Sequence, residues 1–552
     1  MAWLFSWLRL SLFWYFLVCV RSEVFTALIE MENLVYREKE MLDSLKGYLQ
    51  AEQDRLEVIK RFTEKLDQIH SAIPQENVER HLGHPSNSYL LIKRFVKEWP
   101  AIEELSKNPS SEILEDVLNK HRNLFPDESD FEGAIDAIFR VQEIFKVKSL
   151  DLAKDNIPSE TRGFPMMTND AFEIGKTAYE SEKYEESQKW LETAVTLWKE
   201  GLHTNKDNMA EILDYLSYVE YKLGHLRKAY NLTLTLLTYD PSYERAQKNL
   251  RYYADELKSR GQLTGEKGVL RSDDTLLYDE GDESNIDVDE ETSKEKSWRQ
   301  SKAFRLYSKL CRSDPETLFN FTVSQQQQLK CWFYKDKPWL HLRGIGVERL
   351  HVAPEVLYFR NVLTDFEIEV IKRLGRPKLK RAVIQHPETG NLEPADYRIS
   401  KSGWLKDSEN PVVARISRRS EHLTGLTFST AEELQVNTYG MGGHYEPHYD
   451  HAQGHEDKFS DLGTGNRIAT LLFYMSDVEL GGGTAFINVG ALVQPRKGDG
   501  VFWFNLHKNG KGNLQTRHAA CPVFVGTKWV ANKWIHEKGQ EFRHKCSLNH
   551  WE

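Results

Sequence analysis

A chain of 552 residues, 40% of them apolar, is too long for a single hydrophobic core, and roughly two to four domains are expected. Lys and Arg number 73 against 83 Asp and Glu, a formal charge of -10. With no basic stripe anywhere, that balance repels phosphate and excludes a nucleic-acid-binding role.

Residues 1–22 differ from everything after them. Arg9 is the only charge before an apolar run from Leu10 to Val20, and Arg21-Ser22 closes it. The pattern predicts a signal peptide cleaved near residues 20–24, because the run is short for a bilayer span. No membrane span is expected in the remainder, which is placed in the secretory pathway. Of five cysteines, Cys19 lies in this segment. The others, Cys311, Cys331, Cys521 and Cys546, fall into two local pairs, so Cys311–Cys331 and Cys521–Cys546 are the economical disulfides in an oxidising lumen. No CxxC spacing argues for zinc. Asn231-Leu-Thr and Asn320-Phe-Thr are glycosylation sequons.

Residues 23–160 are charged and glycine-poor, with Leu34, Met41, Leu45, Tyr48 and Leu49, then Leu56, Ile59, Phe62 and Leu66, at helical steps. They predict long amphipathic helices; a bundle and a dimerising coiled arm both stay open. Residues 165–257 read as helix pairs: Ala171–Glu180 with a partner through Trp198, then Leu213–Leu223 turning at Gly224-His225 into Leu226–Leu237. A capping helix, Tyr243–Leu257, follows Asp240-Pro241. The glycine turn, alanine and closing proline resemble tetratricopeptide units. Tyr215 and Tyr218 stand one turn apart in a tyrosine-rich stretch, a ledge on which a preordered polyproline II peptide would dock, unless the tyrosines simply pack. Residues 258–300 carry an acidic run read as a linker, and 301–344 form a cysteine-containing connector.

From residue 345 to 552 the chain changes character. β-rich runs such as Leu434–Tyr439, Arg467–Tyr474 and Val523–Trp529 alternate with glycine clusters, and one helix, Asp365–Leu374, enters. This predicts an all-β sandwich or barrel. Within it lies His444-Tyr-Glu-Pro-His448-Tyr-Asp450-His451. On a strand His448 and Asp450 share a face, and His518, about seventy residues on, completes a two-His-one-carboxylate set for non-haem iron(II). Such a set leaves adjacent coordination positions open for a 2-oxo acid and oxygen. Lys528, ten residues after His518, is placed to pair with the distal carboxylate of 2-oxoglutarate.

The segments Gly463-Thr-Gly-Asn-Arg-Ile-Ala-Thr470, Phe473-Tyr-Met-Ser-Asp477, Thr516-Arg-His-Ala-Ala-Cys-Pro522 and Asn532-Lys-Trp534 resemble the catalytic domain of collagen-type prolyl 4-hydroxylase α subunits. The order of parts resembles that family throughout. The resemblance implies a multidomain α + β chain: a helical N-terminal region, a tetratricopeptide-like peptide-binding domain and a double-stranded β-helix (jelly-roll) oxygenase domain. It implies iron on His448, Asp450 and His518, 2-oxoglutarate on Lys528 with Tyr439 and Thr484, and the substrate proline near Arg467 and Trp534. Asp214, Tyr215, Tyr218, Arg245, Asn249 and Tyr252 would form the peptide groove. The two local disulfides match the family's own.

The implied reaction is hydroxylation at C4 of peptidyl proline in X-Pro-Gly sequences, using O2, 2-oxoglutarate, Fe(II) and ascorbate and releasing succinate and carbon dioxide. The implied partner is protein disulfide isomerase as β subunit of an α2β2 tetramer in the endoplasmic reticulum lumen. The closing Asn549-His-Trp-Glu552 is not a retrieval signal, which puts retention on that partner. His444 departs from the family pattern; a fourth ligand would close the site, so none is expected there. Two other readings stay open: an oxygenase for another proline-rich secreted substrate, and a non-catalytic proline-peptide-binding subunit.

Overall fold

The computed structural model describes residues 28–71, 98–99, 101–102, 105, 120, 128–160, 165–204, 207–260, 298–313, 327–342, 344–385, 392–395, 397–453, 459 and 463–549. The signal peptide, the acidic run at 271–297 and Asn320 lie outside them. The chain divides into two compact units, Ile29–Asp127 and, with the first 28 residues, Glu128–Glu552.

The smaller unit is built on α1 (Leu28–Ser71), a 44-residue helix. Val35, Leu42, Leu49 and Leu56 recur every seventh residue and stand exposed along it.

The larger unit starts with α2 (Glu128–Phe145) and the short α3 (Ser149–Ala153). Antiparallel helices follow: α4 (Thr168–Glu180), α5 (Tyr184–Lys199), α6 (Met209–Lys222), α7 (Leu226–Tyr239) and α8 (Glu244–Ser259). The apolar faces of α4, α5 and α6 meet in a core of Ala171, Ile174, Trp190, Leu191, Ala194, Leu197 and Leu216, and α7 and α8 bury Leu226, Ala229, Tyr230, Tyr253 and Leu257 against each other. Each expected helix is present, one to four residues longer at its start or end. After α9 (Lys302–Arg312) the chain becomes β-rich.

The strands in chain order are β1 (Cys331–Tyr334), β2 (Ile345–Val352), β3 (Glu355–Arg360), β4 (Lys380–Arg381), β5 (Val383–Gln385) and β6 (Leu392–Pro394). Then come β7 (Arg398–Ile399), β8 (Lys401–Leu405), β9 (Leu434–Tyr439), β10 (His444–His448), β11 (Arg467–Tyr474) and β12 (Leu480–Gly481). The last are β13 (Thr484–Phe486), β14 (Ala491–Val493), β15 (Gly500–Phe504), β16 (His518–Ala520), β17 (Val523–Val525) and β18 (Lys528–His536). A nine-stranded sheet runs β1-β2-β3-β15-β11-β18-β9-β8-β4, and a five-stranded sheet runs β14-β13-β16-β10-β7. Their facing sides make the jelly-roll interior, with Tyr439, Leu472, Tyr474, Phe486, Trp503 and Val530 among its walls.

Strand periodicity decides which residues look inward. On β11, Ala469, Leu471 and Phe473 point out to a core shared with α10 (Asp365–Gly375) and α11 (Pro411–Thr424). Leu472 and Tyr474, one step out of phase, face the interior. Thr364 and Glu367 cap α10 reciprocally, and Arg419 on α11 pairs with Glu367 at 2.6 Å, locking the two helices together. Helix α11 was not expected from the sequence; it starts at Asn410-Pro411 and ends at Gly425, whose φ of 73° is the left-handed cap that glycine adopts freely. The expected strand Val523–Trp529 is split by Gly526-Thr527 into β17 and β18, which lie in different sheets. The nine-stranded sheet begins at Cys331, before residue 345.

The disulfide pairing differs from the local one expected. Cys311 on α9 bonds Cys521, 210 residues away, with Cα atoms 5.5 Å apart. Helix α9 lies on the outer face of the five-stranded sheet, where Cys311 joins Ala485, Leu492, Ala519 and Cys521 in one core. Cys331 begins the edge strand of the other sheet, and both it and Cys546 are exposed thiols. Neighbours in sequence are here in different layers.

Candidate metal centre and peptide groove

His448 ends β10 and His518 begins β16, and the two residues pair directly across the strands. Asp450 lies two residues past the end of β10, in a bend rather than on the strand, yet its carboxylate turns back between the imidazoles. Asp450 Oδ1 is 3.7 Å from His448 Nε2, and Oδ2 is 3.6 Å from His518 Nε2. All three ligand atoms lie within 4.8 Å of one another. His448 Nδ1 donates to the Glu446 carbonyl at 2.8 Å and His518 Nδ1 to the Thr516 carbonyl at 3.0 Å. Each ring therefore carries its proton away from the centre, and both Nε2 lone pairs point inward. Burial holds the His448 imidazole neutral, down at about 3. Burial alone would raise Asp450, but His518 and His448 outweigh it and leave the carboxyl at about 2. Two imidazole nitrogens and a carboxylate oxygen are the donor set that iron(II) takes.

The carboxylate is held from behind. Trp503 Nε1 donates to Asn505 at 2.8 Å, Asn505 Nδ2 to Thr470 Oγ1 at 2.8 Å, and Thr470 Oγ1 to Asp450 Oδ2 at 2.7 Å. The Tyr445 ring stacks on His448, centroids 3.5 Å apart. One cavity is lined by His448, Asp450, His518, Thr470, Trp503 and Tyr445 together with Lys528, Tyr439, Thr484, Trp534 and Arg398. Lys528 starts β18 opposite Tyr439 on β9 and is 2% exposed. Among the described residues no carboxylate pairs with it; its Nζ sits 5.6 Å from the Tyr439 ring and 6.0 Å from that of Tyr474. Burial pulls its ammonium down to about 7, so an anion entering the cavity meets a group that gains by pairing. Tyr474 donates to Thr484 Oγ1 at 2.8 Å, fixing one wall.

Arg467 stacks on Trp534, guanidinium carbon 3.8 Å from the ring centre. Glu432 holds it with two hydrogen bonds of 2.6 and 3.0 Å, and His536 meets the same carboxylate at 3.0 Å. His444 does not line the cavity. The register slips between Tyr445 and His448, which turns Tyr445 inward and leaves His444 buried elsewhere rather than on the face of His448. His451 is not part of the metal-binding group.

In the helical layer Asp214 is 1% exposed and accepts from Arg245 at 2.9 Å and Tyr243 at 3.2 Å. Arg245, Asn249 and Tyr252 follow at helical spacing on α8. Tyr215, Tyr218 and Tyr252 belong to a continuous array. Tyr179 contacts Tyr215 and Tyr218 at 5.2 and 5.8 Å, and Tyr221 contacts Tyr218 and Tyr252 at 6.0 and 5.6 Å. The Tyr221 and Tyr252 hydroxyls meet at 2.9 Å. The sequon Asn231 lies exposed mid-helix on α7, and the hydroxyl of its Thr233 is buried and donates to the Ala229 carbonyl at 2.8 Å.

Three family models match the chain: the prolyl 4-hydroxylase alpha-subunit N-terminal region over residues 27–159, the prolyl 4-hydroxylase peptide-substrate-binding domain over 168–259, and the 2OG-Fe(II) oxygenase superfamily over 434–536. Prolyl 4-hydroxylase subunit alpha-1 of Mus musculus is 42% identical over 531 residues, 96% of each chain. The human alpha-1 subunit is 41% identical over the same span, and subunit alpha-2 of Caenorhabditis elegans 39% over 544 residues, again 96% of each chain. The chain belongs to the prolyl 4-hydroxylase alpha-subunit family. Its oxygenase domain makes iron(II) and 2-oxoglutarate its cofactor and co-substrate. Thr470, Asn505, Trp503, Tyr445, Arg398 and Glu432 are the site residues that sequence reasoning missed. Tyr445 and Thr470 had a visible signal, one inside the ligand motif and the other at the end of the Gly463–Thr470 segment; Glu432 and Asn505 become site residues only through their contacts with Arg467 and Thr470 in the fold. Among the described residues no helix is long and apolar enough to cross a membrane.

Proposed function

We propose that this chain is the catalytic α subunit of a collagen-type prolyl 4-hydroxylase, hydroxylating C4 of proline in X-Pro-Gly sequences. The observation that carries the reading is one cavity holding His448, Asp450 and His518 together with an unpaired buried Lys528. His448, Asp450 and His518 would hold the iron. Bound iron supplies oxygen activation coupled to decarboxylation of 2-oxoglutarate, which leaves succinate and carbon dioxide.

The protein's own part is placement. The Lys528 ammonium neutralises the distal carboxylate of 2-oxoglutarate, and Tyr439 and Thr484 line its berth. Leu472, Trp503 and Val530 keep water out of the cavity. Arg467, clamped by Glu432 over Trp534, gives the substrate proline a flat, rigid surface at the cavity mouth. Asp214, Tyr215, Tyr218, Arg245, Asn249 and Tyr252 hold flanking peptide: tyrosine faces stack on proline rings and phenols donate to polyproline carbonyls.

Ascorbate as a reductant for iron oxidised in unproductive turnovers, protein disulfide isomerase as β subunit of an α2β2 tetramer and residence in the endoplasmic reticulum lumen complete the proposal. The exposed seven-residue stripe on α1 supports pairing of two such chains, since a heptad seam buries itself against a second helix. The test is 2-oxoglutarate turnover by the chain co-expressed with protein disulfide isomerase, with iron(II) and ascorbate. X-Pro-Gly repeats are expected to stimulate turnover and glycine-free polyproline to inhibit without being hydroxylated. Equal hydroxylation of both would remove the collagen-type assignment and leave an oxygenase for another proline-rich substrate.

A further inference from the structure

Helix α2 contributes to both functional layers. Its middle lies in the core of the helical layer: Ile135, Ile138 and Phe139 pack with Phe172, Trp190 and Ile212. Trp190, fully buried, donates to Gln142 at 2.8 Å. Its last residues belong to the oxygenase domain. Ile144 and Phe145 join the core on the outer face of the five-stranded sheet, and Phe145 stacks on Phe524 of β17 at 5.3 Å. Between the two ends, Arg140 donates to the Gly442 carbonyl at 3.0 Å. Gly442 has a φ of 64°, and a Cβ there would come within 2.6 Å of Ala137 Cβ, so helix and turn are in backbone contact. Two residues later that turn becomes β10, the strand that ends in His448.

We infer that α2 is a rigid coupler that sets the distance between the tyrosine array and the metal centre, and thereby selects long peptides and the prolines within them that react. A peptide already held on the helical layer meets the metal site as an intramolecular partner, at an effective concentration that peaks when its length matches the span. A floppy connection would blur that peak; two close-packed cores on one helix keep it sharp. Arg140, Gln142 and Phe145 are positioning residues here, far from the reacting atoms. The inference rests on the reading that the helical layer holds substrate peptide.

The experiment uses the full assembly of α chain and β subunit, with a long and a short (Pro-Pro-Gly)n peptide. Phe145→Ala is expected to raise KM for the long peptide about tenfold, toward that of the short one. KM for the short peptide, KM for 2-oxoglutarate and kcat stay within about twofold, a split that a merely structural loss does not give. An unchanged long-peptide KM in folded Phe145→Ala, or an equal fall in kcat for both peptides, overturns the coupler. A second measurement needs no variant: peptides joining a polyproline block to one Pro-Gly target through spacers of increasing length. A sharp optimum in spacer length supports the rigid connection, and a flat profile refutes it. Tyr218→Ala separates the two levels. If it weakens the long peptide while Phe145→Ala does not, coupling fails alone. If neither variant affects the long peptide, the groove reading has failed and takes the coupler with it.

Discussion

Thr470 shows how much of the metal site is set by residues that never touch metal. Its hydroxyl is the near end of a buried chain from Trp503 through Asn505 to Asp450. Thr470→Val keeps the shape and deletes the donor, leaving Asn505 and the carboxylate each short of a partner. We expect iron affinity to fall about 10- to 100-fold with little change in KM for peptide, measured as the iron concentration that half-restores activity to the metal-free protein. Unchanged iron dependence would show the chain of hydrogen bonds to be ornamental.

Lys528 makes a second prediction, through pH. Burial puts its folded value at about 7, below the ordinary lysine value of 10.5. The unfolded chain then binds the extra proton between those two values, so this residue costs stability most fully below about pH 7, and the cost fades as pH rises toward the unfolded value. Pairing with a carboxylate reverses the shift, so 2-oxoglutarate binding takes up a proton above about pH 7. Affinity is expected to fall by up to about tenfold per pH unit there, and to be weak but pH-independent in Lys528→Met. A flat profile in the parent protein would mean that the distal carboxylate is held by something else. The ligands and this lysine were legible because their chemistry is written in residue type and spacing. Glu432, Asn505 and Arg398 were not, because their types are ordinary and only the fold brings Arg398 to the cavity, Asn505 to Thr470 and Glu432 to Arg467.

The elements were read from periodicity, and where periodicity is strong the reading held. β9 and β11 run over Leu434–Tyr439 and Arg467–Tyr474, as their β-rich runs between glycine clusters indicate, and the helical pairs carry their predicted apolar faces. Helix α11 was lost because its charged face, Arg415, Arg418 and Arg419, breaks up an apolar stripe that is buried only through Val412, Val413, Ile416 and Leu423. The cysteines were misread for a different reason. Sequence proximity favours short loops, whereas α9 returns to the outer face of the five-stranded sheet and brings Cys311 to Cys521. Peptide mapping of the unreduced protein should recover a Cys311–Cys521 linked fragment, with Cys331 and Cys546 labelled by a thiol reagent. A Cys311–Cys331 fragment would contradict that placement. Cys311→Ser is expected to cost about 2–5 kcal/mol, since the bridge closes a long loop and pins α9 to the sheet.

At the scale of the whole chain, the large unit places two kinds of recognition in one body. An array of tyrosines lies in the helical layer, where we propose that it stacks on an extended peptide, and a jelly roll buries a small polar centre between two sheets. The order of parts and both chemistries could be read from the sequence. The helix that spans them could not, because α2 serves two cores at once and its pattern of apolar residues fits an ordinary bundle helix. The most direct test of the account is the mass of a (Pro-Pro-Gly)n peptide after incubation with the co-expressed assembly, iron(II), 2-oxoglutarate and ascorbate. The account predicts addition of single oxygen atoms on the prolines preceding glycine, one succinate formed per oxygen added, and no addition in His518→Ala. Succinate formed without any oxygen on the peptide, or peptide oxidation that survives His518→Ala, would contradict it.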